Sequence, residues 1–219
     1  MRSFRSSLIF LAFLLVMGSI SSLSAQAESR RFAILVGINQ YIESPLVQLE
    51  KAQNDAQDLG APIPRRGGAK VLYVMSSGLA VNDPFYPTRA KIIERIDALA
   101  ENAESGDQVL FFFSGHGIND KGESYLLPID VQAKDPTGSG INLQRDVLAK
   151  FMAVGVKNVV ALIDACQKTV TTDKGLRVVG VDQVAGAGEA VVITSTGAGK
   201  ASFEDPKGSN GLFTRSLLA

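Results

Sequence analysis

The sequence predicts an α/β protein: a mostly parallel central sheet with helices on both faces, stacked as a three-layer α-β-α sandwich. Two observations carry this. Short apolar runs alternate along the chain with segments of helical spacing, as right-handed βαβ crossovers require. The runs are also continuously apolar and do not alternate with polar residues, the pattern of strands covered on both sides. Length agrees, since 219 residues with 46% hydrophobic content suffice for one domain with a substantial core.

The elements follow in order. Phe32 to Ile38 (FAILVGI) is the first strand. Pro45 to Leu59 has Leu46, Leu49, Ala52 and Ala56 on one helical face, and Gly60 stops it. Ala69 to Met75 is the second strand. Thr88 is placed to cap a helix reaching Ala100, with Ile92, Ile93, Ile96 and Leu99 on its apolar side. Gln108 to Phe113 (QVLFFF) is the third strand, Asn142 to Val154 a helix, Asn158 to Ile163 (NVVALI) the fourth strand, and Glu189 to Thr194 the fifth. The stretches Lys134 to Gly140, Gln167 to Arg177 and Gly197 to Asn210 are polar with scattered Gly and read as surface loops. Phe213 to Ala219 starts a further helix, and the chain is expected to continue beyond it in the natural protein.

Residues 1–27 read as a secretory signal peptide. Arg2 and Arg5 form the positive region, Leu8 to Met17 the apolar region, and Ala25-Gln26-Ala27 the cleavage site. That apolar run is about half what a membrane span needs, so an exported, periplasmic or extracellular protein is expected, with no span after cleavage. Residues 28–219 are then one domain. Removing the leader takes away Arg2 and Arg5 and no acid, leaving 20 basic and 22 acidic residues. So even a balance provides no broad footprint for nucleic acid.

The chain holds one Cys and one His. A single Cys forms no internal disulfide, and one of each builds no Cys/His zinc site. Both nevertheless fall at the edge of the sheet where ligands bind, beyond the carboxyl ends of strands. His116 follows the third strand within Ser114-Gly115-His116-Gly117, and Cys166 follows the fourth within Asp164-Ala165-Cys166. Each is expected in a short loop after its strand. A Cys near an imidazole gains thiolate character, and the His then protonates the leaving amine and activates water. Gly117 N–H with Cys166 N–H is the simplest oxyanion hole, in which each donor contributes about 3 kcal/mol. The Gly197-Ala198-Gly199-Lys200 stretch is no phosphate loop, because Thr194 and Ala201 stand where that pattern needs Gly and a hydroxyl residue.

These residues resemble the caspase-like cysteine peptidases (clan CD, family C14), nearest to bacterial metacaspases, or orthocaspases. The resemblance rests on FSGHG at Phe113 to Gly117 and DAC at Asp164 to Cys166, and conforms to that family's spacing of a His about 50 residues before the Cys. Supporting matches are Arg31 to Asn39, Asn54-Asp55-Ala56, Tyr125 to Asp130 and Gly211 to Thr214. The resemblance implies a caspase-like sandwich, Cys166 as nucleophile and His116 as general base and acid. It further implies that Asp164 and Asp55, with Ser114, line a primary pocket for Arg or Lys of a protein or peptide substrate. Without the resemblance, Asp55 has a rival reading as a solvated residue near the C-terminal end of its helix, where the dipole disfavours an acid.

The resemblance has departures. Gln167-Lys168-Thr169 replaces the basic residue and Ser-Gly that usually follow the nucleophile. Asp173 is placed like a calcium ligand of the family, but Asn142 and Leu143 stand where further acids are expected, so no cofactor is required and any calcium dependence is not strict. Lys168, Lys174 and Arg177 offer sites for autocleavage. The family resemblance implies a monomer. The rival function is a non-catalytic caspase-like binding or scaffold module, against which an intact Cys-His pair counts.

Overall fold

The computed structural model of the chain describes residues 29–42, 46–63, 71–166, 190–195 and 208–219. Five strands make a parallel sheet in the order β2 (Val71–Ser76), β1 (Arg31–Gly37), β3 (Gln108–Asp120), β6 (Asn158–Cys166) and β7 (Ala190–Thr194). Beyond the end of β1, the upper half of β3 turns back through Lys121 and Gly122 into the antiparallel β4 (Glu123–Leu126), which pairs β5 (Ile141–Asn142).

Register explains the layers. Leu35, Phe112 and Leu162 are neighbours across β1, β3 and β6, and with Ala56 they form the apolar row under helix α1 (Ala52–Gly60). Their sequence neighbours Ile34, Phe111 and Phe113 face the other way. They join Ile92, Ile96 and Leu99 of α2 (Arg89–Asn102), and Phe151 of α3 (Ala149–Ala153), in the larger core. Thr88 caps α2 as expected, its Oγ1 accepting from Lys91 N–H at 3.3 Å. The last helix, α4 (Leu212–Leu218), docks on α1.

Several element boundaries differ from the sequence expectation, for identifiable reasons. The first helix begins at Ala52 instead of Pro45. Asn39 engages both sides of this start: its carbonyl accepts from Leu49 N–H at 2.8 Å, and its side chain accepts from Gln53 N–H, in the first turn, at 3.1 Å. The expected helix from Asn142 starts instead as β5, then a π-helical turn (Leu143–Leu148), and only then α3. Asn142 pairs with Tyr125 in the sheet, and its side chain accepts from Arg145 N–H at 2.8 Å. β4 and β5 are too short to leave a sequence signal of their own. The leader 1–27, the loop from Gln167 to Arg177 and most of the loop from Gly197 lie outside the described residues. Among the described residues no helix is long and apolar enough to cross a membrane.

Candidate active site

Successive residues of a strand face opposite sides, so positions two apart share a face. Above the apolar row Leu35–Phe112–Leu162, the next row on the α1 side is Gly37, Ser114 and Asp164, and the next is His116 opposite Cys166. The expected catalytic and pocket residues of β3 and β6 therefore share one sheet face, one step apart. The strand order reverses one step away, between β1 and β3, and the His116–Cys166 row lies across the neighbouring pair β3 and β6.

The two motifs do not lie in loops, contrary to the sequence expectation. β3 continues through Asp120 and β6 through Cys166. The ladders explain this: β4 takes over as partner where β1 stops, and β3 and β6 support one another up to the His116–Cys166 pair. The β3–β6 ladder therefore fixes His116 and Cys166 more closely than loop residues would be. The side chain of Cys166 and all of Asp173 lie outside the described residues.

His116 is buried, 4% exposed. Its Nε2 lies 2.6 Å from the carbonyl oxygen of Val47. A carbonyl only accepts, so Nε2 carries the proton and Nδ1 is left as the basic nitrogen. Tyr41 packs beside the ring, centroids 5.1 Å apart. Neither Val47 nor Tyr41 was picked out from the sequence. Val47 acts through its main chain, which no residue type advertises. Gly117 stands at a non-hydrogen-bonded position of the β3–β4 ladder, since Leu127 N–H donates to His116 O one residue earlier. Its N–H therefore points away from β4, toward the side of β3 where β6 runs.

Asp55 lies in the first turn of α1, not near its end, so the helix dipole favours its charge. It is not a solvated helix position either, being 2% exposed. Ser114 Oγ donates to its Oδ2 at 3.0 Å and Gly211 N–H to its Oδ1 at 2.9 Å. Burial pushes the Asp55 carboxyl above the usual carboxylate range, and the Gly211 and Ser114 donors offset part of that. Gly211, just before α4, sits between the acids: a Cβ there would lie 3.1 Å from Oδ2 of both Asp55 and Asp164. Asp164 is 3% exposed. The segment around Gly211 is tied to α1 by Asn54 Nδ2 donating to Ser209 O and Asn210 Nδ2 to Asp58, each at 3.0 Å. Two buried carboxylates and a hydroxyl are thus gathered beside the His116–Cys166 row, an arrangement suited to a cationic side chain.

Among the described residues no group of three His, Cys, Asp or Glu is arranged to hold a metal ion. Asn142, at one of the expected calcium positions, is 1% exposed and donates to Glu123 Oε2 at 3.0 Å.

The class of protein is defined by a parallel sheet flanked by helices, with a His and a Cys paired across two neighbouring strands. The chain belongs to the caspase-domain family (peptidase C14), which it matches over residues 30–219. Metacaspase-1 of Eremothecium gossypii is 29% identical over 153 residues, covering 65% of this chain and 32% of that protein. Metacaspase-1 of Saccharomyces cerevisiae is 27% identical over 159 residues, covering 68% and 36%. The chain thus spans about a third of the length of the curated relatives it matches. In fold it is similar to the crystal structure of caspase-1 from Spodoptera frugiperda, with a TM-score of 0.54 over 87% of this chain and 68% of that one, at 16% identity.

Proposed function

We propose that the protein is an exported cysteine endopeptidase that cleaves after Arg or Lys through His116 and Cys166. The observation that carries this reading is the pairing of His116 with Cys166 across β3 and β6, directly above the row that holds Ser114 and Asp164. The Cys166 thiol gives its proton to Nδ1 of His116 as its sulfur attacks the substrate carbonyl. Gly117 N–H and Cys166 N–H, the last donors of the β3–β6 ladder, turn from it to receive the oxyanion. His116 then protonates the leaving amine, and the acyl-enzyme remains. Water, deprotonated by the same nitrogen, releases the new carboxylate and restores the thiol. The Val47 carbonyl holds the imidazole in the tautomer that this sequence of transfers needs.

Asp55 and Asp164, with Ser114, bind the substrate cation. A charged side chain reaching them replaces the neutral donors with an opposite charge, whereas an acidic one meets like charge. No cofactor enters the chemistry, calcium is not strictly needed, and the protein acts as a monomer. Fluorogenic peptides ending in Arg, Lys and Asp, assayed with the purified mature protein, test the reading. Turnover after Arg and Lys is expected, retained in a chelator, and reduced at least a thousandfold in Cys166→Ala and His116→Ala. Absence of all turnover together with no alkylation of Cys166 overturns it, and turnover only after Asp overturns the pocket. The mass of the secreted protein checks removal of residues 1–27.

A further inference from the structure

We infer that Tyr41 is a positioning residue for His116, a role that rests on the peptidase reading above. The sheet has a gap beside His116. On its β1 side, β3 is paired by β1 only as far as Ser114, whose carbonyl accepts from Ile38 N–H at 3.0 Å. The antiparallel pairing with β4 begins at Gly117. The N–H of His116 lies between the two, buried, and a buried amide without an acceptor is costly. The hydroxyl of Tyr41 fills this place, accepting from His116 N–H at 2.7 Å.

The same side chain reaches the other half of the residue. Its ring packs against the imidazole with centroids 5.1 Å apart and planes tilted by 33°, and Tyr41 is itself only 9% exposed. With the Val47 carbonyl on Nε2, the imidazole is held at its tip, on its ring and through its main chain. Gly115 belongs to the same device. A Cβ there would stand 3.0 Å from the Tyr41 hydroxyl oxygen and 3.0 Å from the Phe113 ring. A side chain at position 115 would push the hydroxyl off the amide. The Gly before the catalytic His thus has a physical reason: it leaves room for the phenol that anchors it.

Tyr41→Phe keeps the ring and removes the acceptor. In the mature enzyme we expect kcat on an Arg-ending peptide to fall about tenfold, the equivalent of one buried hydrogen bond, with KM within twofold and little loss of Tm. Gly115→Ala should give the same kcat-selective loss from the opposite side. A second readout does not need turnover. Because the chain has one His, histidine-selective 15N labelling gives a single backbone amide, whose hydrogen exchange should accelerate at least tenfold in Tyr41→Phe. Unchanged kcat and unchanged exchange overturn the proposal, as does a loss shared equally by kcat and KM and accompanied by a matching fall in Tm. Should the wild-type protein turn over no peptide, the peptidase reading fails, while the exchange comparison still decides whether Tyr41 anchors His116.

Discussion

Asp55 and Asp107 are buried almost equally, 2% and 3% exposed, at opposite ends of the sheet. Their carboxyl groups are nevertheless driven in opposite directions. Asp107, at the amino end of β3, accepts from Arg30 Nε at 3.1 Å, from Arg30 N–H at 2.9 Å and from Glu104 N–H at 2.7 Å. The Arg30 guanidinium holds it below the usual carboxylate range. Asp55, at the carboxyl end, receives donors that are neutral, the Gly211 amide and the Ser114 hydroxyl. Burial outweighs these donors and holds the carboxyl above its usual range. One acid has its cation built into the chain and serves the fold. Under the proposed function the other meets a cation that arrives with the substrate, the division expected between a structural and a binding carboxylate.

Neutralising each acid breaks the comparison in the most direct way. Asp55→Asn or Asp164→Asn should lower kcat/KM on Arg peptides by roughly a hundredfold, the range for removing one partner of a buried charge pair. Asp55→Asn should leave Tm unchanged or raise it, because the charge costs the fold stability; a fall in Tm parallel to the lost activity would show a structural role. Gly211→Ala comes next. Its Cβ would crowd both carboxylates, so KM for Arg peptides should rise about tenfold, as expected for a displaced charge-assisted hydrogen bond. Asp107→Ala should do the reverse of the pocket substitutions, lowering Tm by roughly 5 °C while kcat/KM stays within twofold.

The smallest effects are in pH dependence. Asp107, with its depressed folded value, contributes stability that is present above the unfolded carboxylate pKa and lost as pH falls through the folded one. Asp55, with its raised value, contributes in the opposite sense: its stabilising share is present at low pH and lost as pH rises through the folded value. Titration of Tm in wild type, Asp107→Ala and Asp55→Asn should therefore show a weaker acid-side loss in the Asp107 variant. The Asp55 variant should show a gain on the neutral side. KM for Arg peptides in the wild type should begin to climb, on acidification, at a pH above the ordinary carboxylate range.

Much of this was legible along the chain because it depends on local pattern. Continuous apolar runs gave β1, β3 and β6, since a strand covered on both faces needs apolar residues at every position. The Thr88 cap and the apolar stripe of α2 follow from helix period alone. His116 and Cys166 were conspicuous because each is the sole residue of its type. Elements that depend on distant partners were not legible. β4 and β5 exist because β3 offers an edge where β1 stops, and α1 starts at Ala52 because Asn39 engages the residues before it.

The sequence by itself therefore determined the class of fold and pointed to His116, Cys166 and the acids near them as the candidate site. Only the tertiary structure decided that β3 and β6 align in the register that sets His116 opposite Cys166, and that Asp55 lies in the first turn of its helix. It also decided that a valine carbonyl meets the imidazole Nε2 and a tyrosine hydroxyl meets the His116 main-chain N–H. The reason is physical: apolar period and residue chemistry are written locally, whereas a main-chain acceptor, a register and a shared burial arise only when separate segments meet.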